Sequence, residues 1–263
     1  MISAGEPVKA PRALDRMRVY LLYHELQPGR SEYGYALDTE LFREHLEVFR
    51  GMRANAAAYW PEITFDDGHV SNFEYAMPLL EEAGLKAVFF ITAGWTAQKA
   101  GYMGWKELRA LQQAGHAIGA HGLTHTLLTH CEGNALGEEL TTSRSLLEDG
   151  LSVPVTTMSL PGGRSNARVL QACAEAGYTQ VYTSEPKAES HANAATMGRL
   201  NVHGSRSAAW MRELLRPESG VLRGLGRQYR VKAAAQQVLG DTLYGKMWAR
   251  LNRQDSSSRD GGR

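Results

Sequence analysis

A parallel (β/α) barrel of about seven strands, followed by a helical basic C-terminal extension, is the fold class that this 263-residue sequence predicts. Three observations lead there. Short β-rich runs alternate with helix-patterned stretches from Val19 to Val202, as βα units with parallel pairing do. Some runs are continuous and β-rich, Lys86–Thr92 most clearly, as buried parallel strands are. Beyond Ser207 only helix-like patterns remain, and residues 199–263 hold 13 Lys/Arg against 5 Asp/Glu.

Val19–Tyr23 reads as a buried strand that stops at His24-Glu25, and Gln27–Tyr35, with Pro28, Gly29 and Gly34, as a loop. Asp38–Met52 has helical spacing through Leu41, Phe42, Leu46 and Phe49, with Asp38 or Thr39 as its cap. Ile63–Phe65 is a short strand and Val70–Ala83 a helix stopped by Gly84. Lys86–Thr92 is a strand, Trp105–Ala114 a helix closed by Gly115, and His116–Ala120 a strand leading into His121. Asn134–Glu148 is helical, Val155–Leu160 extended, Ala167–Ala176 helical and Thr179–Tyr182 extended, with Leu200–Val202 a further strand candidate. Helical patterns return at Ala208–Leu215, Tyr229–Leu239 and Thr242–Leu251. The expected organisation is a leader at 1–17, a barrel at 18–206, a helical basic extension at 207–254 and a disordered Ser/Gly-rich tail at 255–263.

Apolar content of 43% and charged content of 22% are ordinary for a soluble globular protein, and a net charge of +1 makes no global case for nucleic acid. Cys131 and Cys173 lack metal-type spacing, which fits reduced thiols in the cytoplasm. Met1–Arg18 carries Glu6, Lys9, Arg12, Asp15 and Arg16 and no apolar run of signal-peptide length, so the expected location is cytoplasmic.

The chemistry is carried by two stretches. Thr64-Phe65-Asp66-Asp67-Gly68 places two acids where a strand ends, and such a pair is either a solvated turn or a metal and acid/base site. His121-Gly122-Leu123-Thr124-His125 follows another strand, and at helical spacing its two imidazoles share one face, as bidentate metal capture requires. In a βα barrel the strand ends meet on one face, so an Asp and the two His can complete a His/His/carboxylate site.

With these residues the chain resembles the polysaccharide deacetylases, the carbohydrate esterase family with NodB homology, over roughly residues 18 to 203. Thr64–Gly68 is similar to the family's first motif, His121–His125 to its second, and Leu160-Pro161-Gly162-Gly163 to the Pro-x-Gly core of its third. The resemblance implies a distorted barrel and one divalent metal, commonly zinc with cobalt, nickel or manganese as alternatives, held by Asp67, His121 and His125. It also implies Asp66 as general base and a backbone N–H near Gly162, within Pro161–Gly163, as an oxyanion donor. The acid that protonates the leaving amine falls late in most of the family, where His203 stands here. His24, at the end of the first strand, is similar to the arrangement in the circularly permuted branch and is the favoured candidate. The arginine that opens the family's third motif and orients the base falls at Ser159, which leaves Arg164, Arg199 or a group of another kind to orient Asp66. No Asp-Trp motif stands near Tyr182–Glu185.

The implied activity is metal-dependent removal of an acetyl group, N-acetyl above all, from a sugar in glycan or surface-polysaccharide biosynthesis. Two alternatives stay open: hydrolysis of a non-peptide C–N bond in a small cyclic amide on the same barrel, and a non-catalytic glycan-binding module. The expected partner is an N-acetylated sugar or glycan, lipid-linked in one version. Trp95 and Trp105 are rim or core residues that could stack on a sugar, and His116 reads as a packed, hydrogen-bonded strand residue. The basic stretch from Arg206 to Arg253, with Trp210, Tyr244 and Trp248, fits either a closing helix with solvated cations or peripheral contact with an anionic membrane.

Overall fold

The structure, a computed structural model, describes residues 16–55, 58–190 and 194–235. In chain order the elements are β1 (Arg18–Tyr23), β2 (Glu25–Gln27), β3 (Ala36–Asp38), α1 (Thr39–Ala54), β4 (Trp60–Phe65) and α2 (Met77–Ala83). They continue with β5 (Ala87–Ile91), α3 (Trp105–Gln113), β6 (Ala117–Ala120), α4 (Ala135–Leu151), β7 (Thr157–Ser159) and α5 (Ala167–Glu175). The last are β8 (Gln180–Tyr182), β9 (Thr196–Met197), β10 (Arg199–Asn201) and α6 (Ala208–Leu214). The main sheet runs β10-β1-β4-β5-β6-β7-β8-β9 and is parallel throughout. A single residue, Gly198, separates β9 from β10, so one segment pairs with β8 in its first half and with β1 in its second. The eight strands thus make a ring of seven staves, the barrel of about seven strands that the alternation predicts. A Cβ at Gly198 would stand 2.4 Å from the Glu185 carbonyl oxygen, so the crossover is open to glycine alone.

Strand alternation decides what enters the barrel. Tyr23, Phe65 and Phe89 are register partners on β1, β4 and β5, face outward, and form an aromatic ladder with Phe42 of α1. Phe65 and Phe89 stack at 5.0 Å. The residues that follow in the chain must then face inward. Phe90 does so and packs with Tyr20, Tyr182 and Met197 in the barrel interior. Gly119, its register partner on β6, has no room for a Cβ, because the Phe90 ring would lie 2.6 Å away. By the same rule His24, after Tyr23, and Asp66, after Phe65, turn toward the barrel mouth.

Several boundaries differ from expectation for identifiable reasons. The expected loop after β1 contains a small second sheet, β2 with β3, too short to show a hydrophobic period. β4 begins at Trp60 and passes through Pro61, which is tolerated because β5 joins only from Ile63 onward. The helix expected at Val70–Ala83 opens with a π-turn at Asn72–Ala76, just before Pro78. Asp38 caps α1, its carboxylate accepting from the Glu40 and Leu41 N–H groups. The compact unit around the sheet extends to Leu222 and takes in α6, which packs on α1. A second unit begins at Arg223 and is helical over residues 223–235. The expected leader at 1–17, apart from its last two residues, lies outside the described residues, as do the helix at Thr242–Leu251 and the tail at 255–263. No helix among the described residues is long and apolar enough to cross a membrane.

Two buried histidines hold strand to helix. His45 donates from Nε2 to the Arg206 carbonyl (2.7 Å), so its Nδ1 accepts from the Tyr23 hydroxyl (3.1 Å). His116 accepts the Ala87 N–H at Nδ1 (3.2 Å) and packs edge-on against Phe89, the structural role expected of it. Burial pushes both imidazoles down to about 4. Between pH 6.5 and about 4 the unfolded chain binds protons that the folded chain refuses, so stability is fully present above 6.5 and lost as pH falls. Each histidine contributes a slope of about 1.4 kcal/mol per pH unit in that window. Urea unfolding at pH 7, 5.5 and 4.5 should therefore show a slope that flattens by about that amount in His116→Asn.

Candidate metal centre

The C-terminal ends of the strands bring the predicted ligands together. Asp66 N–H continues the β1–β4 ladder by donating to the Tyr23 carbonyl (3.0 Å), after which the chain turns sharply. Asp67 and Gly68 both take left-handed conformations, with φ of 73° and 84°. Thr64–Gly68 is thus a turn and a site at once. Its geometry sends Asp66 down into the barrel and Asp67 across the mouth. Asp is among the few side-chain residues that tolerate this φ, which elsewhere costs about 1–2 kcal/mol.

Asp67 Oδ1 lies 3.2 Å from Nε2 of His121 and 3.2 Å from Nε2 of His125. His121 donates its other ring nitrogen, Nδ1, to the Ser159 carbonyl (2.8 Å), so in the neutral imidazole Nε2 presents a lone pair. Asp67 Oδ1 is buried and has no hydrogen-bond partner. With Nε2 of His121 and His125 it makes a cluster of three possible ligand atoms, all within 4.8 Å of one another. A divalent cation fits this donor set, and the two nitrogens and one oxygen are those of open tetrahedral sites. Burial works against ionising Asp67, but the two imidazoles outweigh it and hold the carboxyl far below its ordinary range. Burial also opposes a charge on His121, and the carboxylates of Asp66 and Asp67 override it and raise the imidazole.

The helical spacing expected of the two histidines is not what aligns them. Residues 121–127 form an irregular loop, with φ of 77° at Gly122 and 66° at His125. The loop is gripped from two sides. Ala93 and Gly94 donate their N–H groups to the Gly122 and Leu123 carbonyls (3.0 and 2.9 Å). From α4, the Glu139 carboxylate accepts the N–H groups of Leu123 (2.8 Å) and Thr124 (3.1 Å) and the Thr124 hydroxyl (2.5 Å). Glu139 was not anticipated, although a signal exists: it shares the buried face of α4 with Leu136, Leu140, Ser143 and Leu147. A carboxylate on an apolar helix face needs partners.

Asp66 is 2% exposed and fully engaged in charge. Arg199, at the start of β10 and wholly buried, meets it in a fork, Nη1 to Oδ1 at 2.7 Å and Nη2 to Oδ2 at 2.8 Å. Ser159 accepts from Arg199 Nη2 (2.6 Å) and donates to Asp66 Oδ2 (2.9 Å). The same guanidinium donates to the Thr64 hydroxyl and the Thr183 carbonyl, and sits over the Phe90 and Tyr182 rings. Burial works to raise the Asp66 carboxyl, but Arg199 and His121 hold it below the usual carboxylate range. Oδ2 accepts two bonds and Oδ1 one, which leaves Oδ1 with acceptor capacity. Of the two arginines considered for Ser159's missing partner, Arg199 holds Asp66.

His24 lies within electrostatic reach of Asp66, Asp67 and His121, with Nδ1 buried and unpaired. Burial lowers its imidazole against the pull of the two carboxylates. His203 lies beyond the Tyr35 ring, which stands 4.9 Å from His24 and 5.3 Å from His203, and it is exposed. Pro161–Gly163 forms a tight turn with φ of 66° and 68° at the glycines. Gly163 N–H is committed to the Leu160 carbonyl (2.8 Å), and a Cβ on Gly163 would strike Ser184. Trp95 packs 5.3 Å from the His125 ring, at the rim.

Two outcomes follow. Arg199→Leu strands a buried carboxylate and should lower stability by about 3–5 kcal/mol in chemical denaturation, whereas Arg199→Leu with Asp66→Asn recovers most of the loss. Glu139→Gln should loosen the histidine loop and weaken metal affinity by about 10–100-fold in a competition titration, with the fold retained by circular dichroism.

A family model described as polysaccharide deacetylase matches residues 61–181. YxkH of Bacillus subtilis (strain 168), a protein provisionally named a polysaccharide deacetylase, is 30% identical over 128 residues, 49% of this chain and 46% of that protein. This chain therefore aligns with less than half the length of that curated relative. Among solved structures, Streptococcus pyogenes deacetylase PplD in complex with acetate superposes with a TM-score of 0.69 at 20% identity, covering 76% of this chain and 99% of PplD. IcaB from Ammonifex degensii superposes at 0.63 and 21% identity, covering 75% and 97%. The polysaccharide deacetylase BC0361 from Bacillus cereus superposes at 0.66 and 16%, covering 76% and 69%. At these identities the structural likeness speaks for the fold. The matched model spans β4 to β8 and takes in both the acid and the histidine stretches, so the likeness to polysaccharide deacetylases falls on the part of the chain that builds the site.

Proposed function

We propose that this protein is a metal-dependent deacetylase that hydrolyses the N-acetyl group of a sugar in a glycan, with zinc as its metal. The observation that carries this reading is the unsatisfied Asp67/His121/His125 lone-pair cluster with the ionised Asp66 beside it, Oδ2 lying 3.8 Å from His121 Nε2. When bound, a divalent ion supplies Lewis acidity, polarising the acetyl carbonyl and lowering the pKa of a coordinated water to about 7. Asp66, held by Arg199, takes the proton of the attacking water. The Gly162 N–H, with Gly163 already committed, is the backbone donor for the developing oxyanion. His24 delivers a proton to the leaving sugar amine, completing hydrolysis to acetate and free amine. Its place at the end of β1, ahead of the acid pair in sequence, supports the permuted strand order within the family.

The intact cluster argues against the cyclic-amide alternative, and the paired Asp66–Arg199 against a module that binds without turnover. The basic, aromatic-bearing stretch near the C-terminus supports a lipid-linked form of the glycan at the cytoplasmic face of an anionic membrane. Deleting residues 223–263, which leaves α6 in place, should then abolish co-sedimentation with anionic liposomes.

Elemental analysis of the protein purified in zinc should give about one metal per chain, falling near zero in Asp67→Ala. Asp66→Asn should keep its metal and lose acetate release from N-acetylated glycans by about 10²–10⁴-fold. His24→Ala should lose activity on the same scale while His203→Ala stays near wild type. Full activity in Asp66→Asn, or loss confined to His203→Ala, would overturn the assignments.

A further inference from the structure

His24 owes its place to its backbone. Its ring packs against Tyr35 at 4.9 Å, but Nδ1, the nitrogen that commonly orients a working histidine, is buried without a hydrogen-bond partner among the described residues. The chain also leaves the main sheet here: the β1–β4 ladder ends with the Asp66 N–H on the Tyr23 carbonyl, and β2 begins at Glu25. The His24 carbonyl then needs a donor from elsewhere. A side chain supplies it, Asn72 Nδ2 donating at 2.7 Å. Just beyond, the Leu26 N–H donates to Ser71 Oγ at 3.0 Å.

Neither grip is a surface contact, since Ser71 and Asn72 are both buried. Both stand in the short arm of chain that follows Asp67, and that arm is clamped along its length. The Met103 N–H donates to the Gly68 carbonyl (3.0 Å), and the Val70 N–H to the Gly101 carbonyl (2.8 Å). The Ser71 hydroxyl accepts from Leu26 and donates to His69 Nδ1 (2.8 Å), which also accepts the Ser71 N–H (3.3 Å). The helix that follows opens with a π-turn in which the Met77 N–H reaches back to the Asn72 carbonyl. Such turns recur at functional sites, where the extra residue re-aims a side chain. Asp67 and His24 are thus joined by one braced bridge: the arm, the Asn72 carboxamide and the His24 carbonyl.

We propose that Asn72, assisted by Ser71, is the positioning residue of the proton donor, fixing His24 against the Asp66-Asp67 turn so that acid and base act at a set separation. The inference rests on the deacetylase reading and adds to it the group that aims the acid. In the step it serves, the C–N bond breaks with its electron pair on nitrogen, which takes the His24 proton. The proton that Asp66 drew from water then returns to His24 through solvent. Asn72 touches no reacting atom and acts through His24 alone. A misplacement of about 1 Å in such a group costs about 10²-fold in rate.

Two substrates test this on the zinc-loaded full-length protein: an N-acetylglucosamine oligomer, whose amine leaves only with a proton, and 4-nitrophenyl acetate, whose phenolate leaves without one. Asn72→Ala should lower kcat on the amide by about 10–100-fold with KM within about twofold, and leave ester turnover within about twofold. Added to His24→Ala, it should cost nothing further on the amide. Losses of equal size on both substrates, or a full further loss in the His24→Ala background, overturn the proposal. Should Asn72→Ala fail to fold, Ser71→Ala is judged by the same comparison. Hydrogen exchange on the metal-free protein gives a readout apart from activity. Residues 23–27 should exchange at least about tenfold faster in the variant while residues 66–68 stay as in wild type, and unchanged exchange at 23–27 rejects the grip. If the wild type releases no acetate from the N-acetylated sugar, the deacetylase reading fails instead, and exchange alone decides whether Asn72 holds His24.

Discussion

A buried ion pair between Asp66 and Arg199 is the constraint on which the rest of the molecule depends. Neither charge can leave water without the other, since breaking such a pair strands a charge at a cost of about 3–5 kcal/mol. The pair ties β4 to β10, and Ser159 draws β7 into the same contact. Three staves of the ring therefore meet at one guanidinium, directly beneath the mouth. The barrel closes around this point, and the aromatic interior of Phe90 and Tyr182 that surrounds the cation excludes the water that would compete for it.

Above the pair, two neighbouring carboxylates acquire unlike surroundings from one turn. The left-handed step at Asp67 rotates its side chain away from Asp66 by the cheapest available means, a residue type that accepts positive φ next to a glycine. Asp66 meets permanent positive charge. Asp67 meets two nitrogen lone pairs and is left wanting a cation. The histidine loop is positioned with the same economy: backbone donors from the turn after β5 on one side, the Glu139 carboxylate from α4 on the other. None of these supporting groups reacts, yet the angle between the imidazoles depends on them.

Much of this was legible in the sequence where a period or a motif carried it. The buried runs at β1 and β5, the Asp38 cap and the convergence of Asp67, His121 and His125 follow from alternation and from strand ends meeting on one face. What escaped lacks such a period. β2 and β3 have three residues each, β9 two, and none can display an alternation. The histidines converge through loop dihedrals rather than helical spacing, and no side-chain pattern reports a positive φ at His125. Arg199 could be suspected but not chosen over Arg164, because what distinguishes them is register: Arg199 pairs with Tyr20 on β1 and so points into the barrel. Glu139 shows that a lone carboxylate on an apolar helix face marks a site as surely as a motif does.

The location of Arg199 bears on how degenerate relatives are told from working ones. Its guanidinium reaches Asp66 from β10 rather than from β7, and Ser159 on β7 keeps a hydroxyl in the same hydrogen-bond circuit. Electrostatics asks for a cation at a point, not at a place along the chain. A filter that demands arginine ahead of Pro161-Gly162-Gly163 would pass over this chain, although the charge on Asp66 is matched. A tally of charge across the barrel interior, strand by strand, finds the pair that a linear motif misses.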